Sequence, residues 1–179
     1  MIVETARLRL RPWRAADKPA IRAVVNTPAM MRHFGGVAPD AVIDALIDAQ
    51  IALQERDGFS MGAVELSDGT IVGICGVRHQ TGYPDLLVHG ELEIGWRIGE
   101  AWWGQGIARE AAEASIAWGF ANTAFPRICA WTSPPNERSW GLMQRLGMTR
   151  RRELDFRHPS YAGDDPLGEM IVYAIDRPS

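Results

Sequence analysis

Several things are scarce or missing in this 179-residue chain, and each absence closes off a class of function. No apolar stretch approaches the roughly 20 residues needed to cross a bilayer, so a membrane role is not expected. The opening MIVETARLRLRPW carries charge throughout and lacks the apolar core of a secretory signal, which points to the cytoplasm. Net charge is −3 and the basic residues are scattered, so nothing electrostatic recommends nucleic acid as a partner. The short run Arg150-Arg151-Arg152 reads as a solvated face. Two cysteines, Cys75 and Cys129, sit in short apolar runs and read as buried free thiols of a reducing compartment. Cys129 has no identifiable histidine partner, which argues against a cysteine nucleophile. His89-x-Glu91 matches half of a zinc-deaminase signature, but no Pro-Cys-x-x-Cys follows, and no other spacing suggests a metal. Internal repeats, low-complexity tracts and long linkers are absent.

What is present is an ordinary folded composition, 46% apolar and 23% charged, of a length that one domain over residues 1–179 accounts for. Arg7-Leu8-Arg9-Leu10-Arg11 alternates as a half-buried strand. Asp17 and Pro19 open a helix that buries Ala20, Ile21, Val24 and Val25. Pro39-Asp40 opens a second, with Val42, Leu46, Ala49 and Leu53 at helical spacing and a stop near Asp57-Gly58. Strands are expected over 59–66 and 70–78 around the turn Ser67-Asp68-Gly69, followed by an irregular loop over 80–90. Residues 91–98 alternate again, with Leu92, Ile94 and Trp96 on one face and Glu91, Glu93 and Arg97 on the other. A helix follows with Ile107, Ala111, Ala114, Trp118 and Ala121 on its stripe, then a strand over 127–132. Pro135-Asn136 starts another helix carrying Trp140, Met143 and Leu146 and ending at Gly147; strands are expected near 149–156 and 169–175. The order implies a mixed α+β domain, layered as in α/β proteins, on one central sheet.

The most informative stretch is 102–110, WWGQGIARE, a glycine hinge between a strand and a helix. First-turn N–H groups lack intrahelical acceptors, the helix dipole is positive there, and glycine lets the backbone close on an anion. Gly99-x-x-x-x-Gly104 has P-loop glycine spacing, but Gln105-Gly106 replace the lysine and hydroxyl that a nucleoside triphosphate needs. Gly104-x-Gly106-x-x-Arg109 lacks the third glycine of a dinucleotide fingerprint, and no acid follows to take a ribose hydroxyl. Trp102 and Trp103 read as core residues that lock the hinge.

Three segments in order carry a resemblance: Glu93-Ile94-Gly95-Trp96-Arg97; Trp102-Trp103-Gly104-Gln105-Gly106-Ile107-Ala108; and Asn136-x-x-Ser139 leading to Leu146-Gly147-Met148. Together they resemble the GCN5-related N-acetyltransferase (GNAT) superfamily, within it the RimJ/RimL-type branch of ribosomal-protein N-terminal acetyltransferases. Most of the chain takes part, from Glu4-Thr5-x-Arg7-Leu8 and Arg11-Pro12-Trp13 onward. The resemblance implies a GNAT fold, a mostly antiparallel sheet of six to seven strands flanked by about four helices. It implies acetyl-CoA as co-substrate, no metal, and an amine acceptor that is a peptide N-terminus or a small molecule. A monomer or homodimer is expected.

By the same resemblance, backbone N–H groups of Gly104, Gln105, Gly106, Ile107, Ala108 and Arg109 would hold the pyrophosphate. Trp103 stands where the wider superfamily has Gln or Arg, as it often does in the RimL-like branch. The backbone of Trp96, Arg97 and Ile98 would pair with the pantetheine arm, and Asn136 would contact it. An amine is protonated at neutral pH, so a base is wanted: Glu93 first, Glu91 less so, and His158 second. Ser139 would protonate the leaving thiol, because Met143 occupies the place where many relatives carry tyrosine. Asn136 and Ser139 also suit a helix start that caps its own N–H groups. The acceptor pocket is expected between the N-terminal helices, including Met31-Arg32-His33-Phe34-Gly35, and the loop 157–168. The rival reading is an acyl-CoA-binding sensor that has lost its chemistry.

Overall fold

The computed structural model describes residues 1–178. Strands β1 (Val3–Glu4), β2 (Leu8–Arg11), β3 (Gly62–Leu66), β4 (Ile71–His79) and β5 (Leu92–Ile98) run antiparallel to their neighbours in that order. Strand β6 (Arg127–Thr132) then lies parallel to β5 and antiparallel to β9 (Glu169–Asp176), which also pairs β7 (Thr149–Arg150) and β8 (Phe156–Arg157). The helices are α1 (Lys18–Val25), α2 (Pro28–Met31), α3 (Asp40–Asp57), α4 (Ile107–Asn122) and α5 (Glu137–Arg145).

The strand count among the described residues is nine, above the six to seven expected, because β1, β7 and β8 are two-residue pieces. The strand expected near 149–156 is broken for a local reason. Asp155 pairs with Arg150, and its Oδ1 accepts the Val172 N–H at 3.0 Å, so a side chain takes a ladder position. Leu154 meanwhile turns into a buried cluster from a short 3-10 turn. Helix α2 was not read in the sequence; Thr27 caps it, accepting the Met30 N–H at 3.3 Å, and Pro28 suits its first turn.

Helix α3 buries Ile43, Ile47 and Gln50, not the stripe through Val42, Leu46, Ala49 and Leu53; Val42 is 54% exposed. The run is apolar on two overlapping stripes, and a polar contact selects between them: Gln50 Oε1 accepts the Met61 N–H at 3.1 Å, tying the helix to the segment before β3. On α4, Ala111, Ala112, Ser115 and Ile116 face the sheet, while Trp118 is half-buried and Ala121 exposed. Small side chains there bring the helix close to the strands.

The two faces of the sheet differ. On the α4 side one continuous apolar cluster runs from Leu8 and Leu10 on β2 through Val72, Val77, Leu92 and Ile94 to Ile128, Met143 and Tyr173. On the other side the core is divided. One cluster joins Trp13, Ile21, Ile43, Ile47 and Ile74 beneath α1 and α3. A second joins Val88, Cys129, Leu154, Val172 and Ala174. Burial pushes both thiols, Cys75 and Cys129, up to about 12, so they are inert packing groups.

Candidate functional site

The division has a topological cause. Strand β5 pairs with β4 along its whole length, and β6 pairs with β9 along its own, but β5 and β6 share only Leu92↔Ile128 and Glu93↔Cys129. Past Glu93 the two parallel strands part. A cleft of about 1500 Å³ opens there, lined by Glu93 to Ile98 on one side and by Trp131, Thr132, Ser133, Asn136 and Ser139 on the other.

At one end lies the glycine hinge. Gly104 and Gly106 have φ of 74° and 78°, a conformation that side-chain-bearing residues rarely adopt, and Gly106 starts α4. From Gly104 to Arg109 the backbone N–H groups find no backbone acceptor of good geometry among the described residues. Glu110 in the first turn is held from outside: Thr5 Oγ1 donates to its Oε1 at 2.6 Å, and Arg7 Nε to its Oε2 at 2.7 Å. Arg7 Nη1 also donates to the Gln105 carbonyl at 3.0 Å, fixing the turn itself. The tryptophans act as two separate anchors. Trp102 packs against the continuous core, and Trp103 against the cluster under α1 and α3, where its Nε1 donates to the Ile98 carbonyl at 2.6 Å. Arg138 from α5 stacks over Trp103 at 4.4 Å. Arg109 is paired with Glu113 at 2.8 Å. Gly104, Gly106, Ile107, Ala108 and Arg109 line the cleft, whereas the exposed Gln105 side chain donates to the Ala101 carbonyl.

Glu93 is buried to 7% exposure on the cleft floor, not solvated. It stands directly across from Arg78 on β4, whose Nε donates to Oε2 at 2.7 Å; Gln80 Nε2 donates to the same oxygen at 2.9 Å. Oε1 has no partner among the described residues and is not sealed off. Burial pushes the carboxyl above its ordinary value, and Arg78 and Gln80 only partly pull it back. Glu91 is elsewhere: it pairs with Arg127 and lies against Cys129, outside the cleft lining.

His158 lines the far wall. Its Nδ1 accepts the Ser160 N–H at 3.2 Å, so the neutral ring carries its proton on Nε2, 2.7 Å from Tyr83 Oη. Burial, then the nearby Arg78 charge, hold its pKa below the usual histidine value. On α5, Asn136 does not cap the helix with its side chain; its Nδ2 donates to Thr132 Oγ1 at 2.9 Å, across the strand-to-helix turn. Ser139 is half-buried in the cleft wall one turn below Met143, which is 1% exposed. Ser133 Oγ is buried without a partner in the same wall.

The site residues missed in the sequence are Arg78, Gln80, Tyr83, Ser133 and Tyr161. Arg78 is placed opposite Glu93 by the β4–β5 register, which the irregular loop between those strands does not fix in the sequence. Tyr83 sits in the loop 80–90 and reaches the cleft by tertiary packing alone. Among the described residues no group of three His, Cys, Asp or Glu side chains is placed to hold a metal, and no helix is long and apolar enough to cross a membrane.

A family model described as the acetyltransferase (GNAT) domain matches residues 7–149. The chain is 36% identical over 151 residues to the N-acetyltransferase p20 of Bacillus licheniformis, covering 82% of this chain and 81% of that protein. An acetyltransferase of Agrobacterium tumefaciens superposes with a TM-score of 0.78 at 28% identity, over 98% of this chain and 94% of that one. A RimL ribosomal-protein α-N-acetyltransferase in complex with coenzyme A shares the fold, with a TM-score of 0.76 at 17% identity, over 98% of each chain.

Proposed function

The chain belongs to the GNAT acetyltransferase family, and on that premise we propose that it moves the acetyl group of acetyl-CoA onto a primary amine, with Glu93 as general base. The observation that carries this reading is the meeting, in one cleft, of a hinge of unpaired backbone N–H groups, a strand edge freed by the β5–β6 splay, and a buried carboxylate.

The residues present fit the co-substrate. A Cβ built at Gly104 would meet nothing within 4 Å, and the hinge amides have no backbone acceptor among the described residues, which suits a pyrophosphate. The freed edge of β5, through Trp96, Arg97 and Ile98, suits the amides of a pantetheine arm, and the orphaned Ser133 hydroxyl and Asn136 offer polar partners on the opposite wall. Acetyl-CoA, when bound, supplies an activated thioester.

The protein's own work is proton handling and placement. Glu93 Oε1 takes the ammonium proton of the acceptor, directly or through water, which frees the nitrogen lone pair for attack. A backbone N–H of β5 donates to the carbonyl oxygen as charge develops on it. Ser139 Oγ–H donates to the departing sulfur. His158 suits the role of base less well, because its protonless nitrogen is already taken by the Ser160 N–H; it positions Tyr83 instead. A carboxylate raised by burial is a stronger base than an ordinary one, which matches the task.

Acetyl-CoA at about 100 times its Kd should stabilise the fold by about 2.7 kcal/mol, read as a rise in Tm. Gly106→Trp, which forces a side chain onto a φ of 78° at the hinge, should erase that rise. No rise in the parent protein sinks the reading. Amine-dependent release of free thiol that Glu93→Gln removes, with the acetyl-CoA shift kept, excludes a silent acyl-CoA sensor.

A further inference from the structure

The cleft contains a cation without a salt bridge among the described residues. Arg97 lies on the same face of β5 as Glu93, four residues along, with Gly95 between them. Its cross-strand neighbour is Ile74, an apolar residue of the core under α1 and α3. The guanidinium stacks over the Phe34 ring at 4.0 Å and has no salt-bridge or hydrogen-bond partner among the described residues. Glu93, the carboxylate on its own strand face, is already bonded by Arg78 and Gln80. Burial lowers the Arg97 pKa to about 10, with Tyr161 and Glu93 opposing the fall and Arg78 adding to it, so the half-buried guanidinium stays charged at neutral pH without an ion pair in contact to offset its partial desolvation. Tyr161 comes from the loop after β8, and its hydroxyl likewise has no partner among the described residues.

The side chain faces away from the helix that follows the hinge. The α4 helix, whose N-terminus is the hinge, packs on the face of β5 that carries Leu92, Ile94 and Ile98. Arg97 points to the opposite face, where Glu93 is. Between the two charged positions lies an uncharged floor, the paired Gly76 and Gly95, with Met61 packed so closely over Gly95 that a Cβ there would lie 2.7 Å from its methyl.

We infer that Arg97 and Tyr161 form a receptor for a carboxylate carried by the acceptor, so that the substrate class is an amino carboxylate, its amine toward Glu93 and its carboxylate toward Arg97. This rests on the proposed acyl transfer. Arginine is suited to the part, since its planar donors bind a carboxylate in a two-point contact while its face stays on the aromatic ring. The guanidinium then acts as a filter: an acceptor without the anion leaves it without an ionic partner.

The test is a thiol-release assay with matched acceptors: glycine, β-alanine and γ-aminobutyrate to read the spacing, glycinamide and ethylamine without the anion, and short peptides with an acidic or a neutral N-terminal residue. Amino carboxylates should have a KM at least about tenfold below that of their amides. Arg97→Met should collapse that ratio to near one, and Tyr161→Phe should reduce it less. Preference confined to acidic peptides assigns the carboxylate to a peptide side chain; preference for the free acids assigns it to a small molecule. Equal use of acids and amides overturns the inference, as does an Arg97→Met protein that keeps the ratio but loses affinity for acetyl-CoA. Binding of N-acetylglycine against N-acetylglycinamide to CoA-loaded protein reads the same receptor without turnover, and equal affinity again overturns it. Failure of the acyl-transfer reading looks different: no acetyl-CoA shift and no thiol release with any amine.

Discussion

The two faces of the sheet have been built to different ends. The face under α4 is one unbroken apolar surface from β2 to β9, and its helix lies close because Ala111, Ala112 and Ser115 are small. The opposite face is interrupted midway, and the interruption holds Arg78, Gln80 and Glu93 beside Tyr83 and His158. One face stabilises the fold by burying apolar area. The other forgoes part of that burial and holds a desolvated carboxylate whose raised pKa is itself a local destabilisation. Stability and chemistry are therefore divided between faces, with β5 carrying one on each side.

That division is open to being broken by paired substitutions. The largest effect should come from the divided face: Glu93→Gln keeps the shape, leaves Arg78 a neutral acceptor, and should lower turnover by about 10²–10⁴-fold, with no loss of Tm. A loss under tenfold would remove Glu93 from the role of base. Next in size is the continuous face. Leu10 is fully buried in it, far from the cleft, and Leu10→Ala should cost about 2–5 kcal/mol of stability. Thermal or urea unfolding reads that loss, and turnover per folded molecule should not move. If Leu10→Ala slowed the chemistry as well, the two faces would be coupled and the contrast would fail.

The same contrast explains what could be read from residues alone. The alternation of 91–98, the glycine hinge and the Asn136–Ser139 helix start are local patterns, and each stands where its spacing placed it. Burial on α3 was not legible, because two apolar stripes compete and a contact from Gln50 to Met61, distant in sequence, decides between them. Glu91 and Glu93 look alike by alternation; they are separated by Arg127, which reaches Glu91 from β6, and by Arg78, which reaches Glu93 from β4. The acceptor wall was legible by segment, since 31–35 and the loop 157–168 both line the cleft, but Tyr83 and the contacts among its aromatics were not. Phe34, Tyr83, His158 and Tyr161 come from three separate loops and meet only through the fold.

The smallest effect separates the two kinds of buried carboxylate by sign. Asp17 is buried, which alone would raise its pKa, but hydrogen bonds from Arg11 and from the Arg14 N–H outweigh this and hold it below 3.8. Its contribution is present above the unfolded value and is lost as pH falls through the folded one. Glu93 runs the other way. Below its ordinary 4.5 both folded and unfolded states are protonated, and its burial carries no charge penalty. As pH rises through 4.5 the unfolded chain releases its proton first, so stability falls until the folded carboxyl has ionised and then levels. Glu93→Gln has no proton to release and should lack this decline, while the Asp17 limb at lower pH stays the same in both proteins. Urea midpoints of the two proteins between about pH 4 and 8 should therefore converge at the acid end and separate upward, the parent losing ground. Parallel curves over that range would mean that Glu93 is as well solvated as a surface carboxylate, and the divided face would lose its distinguishing feature.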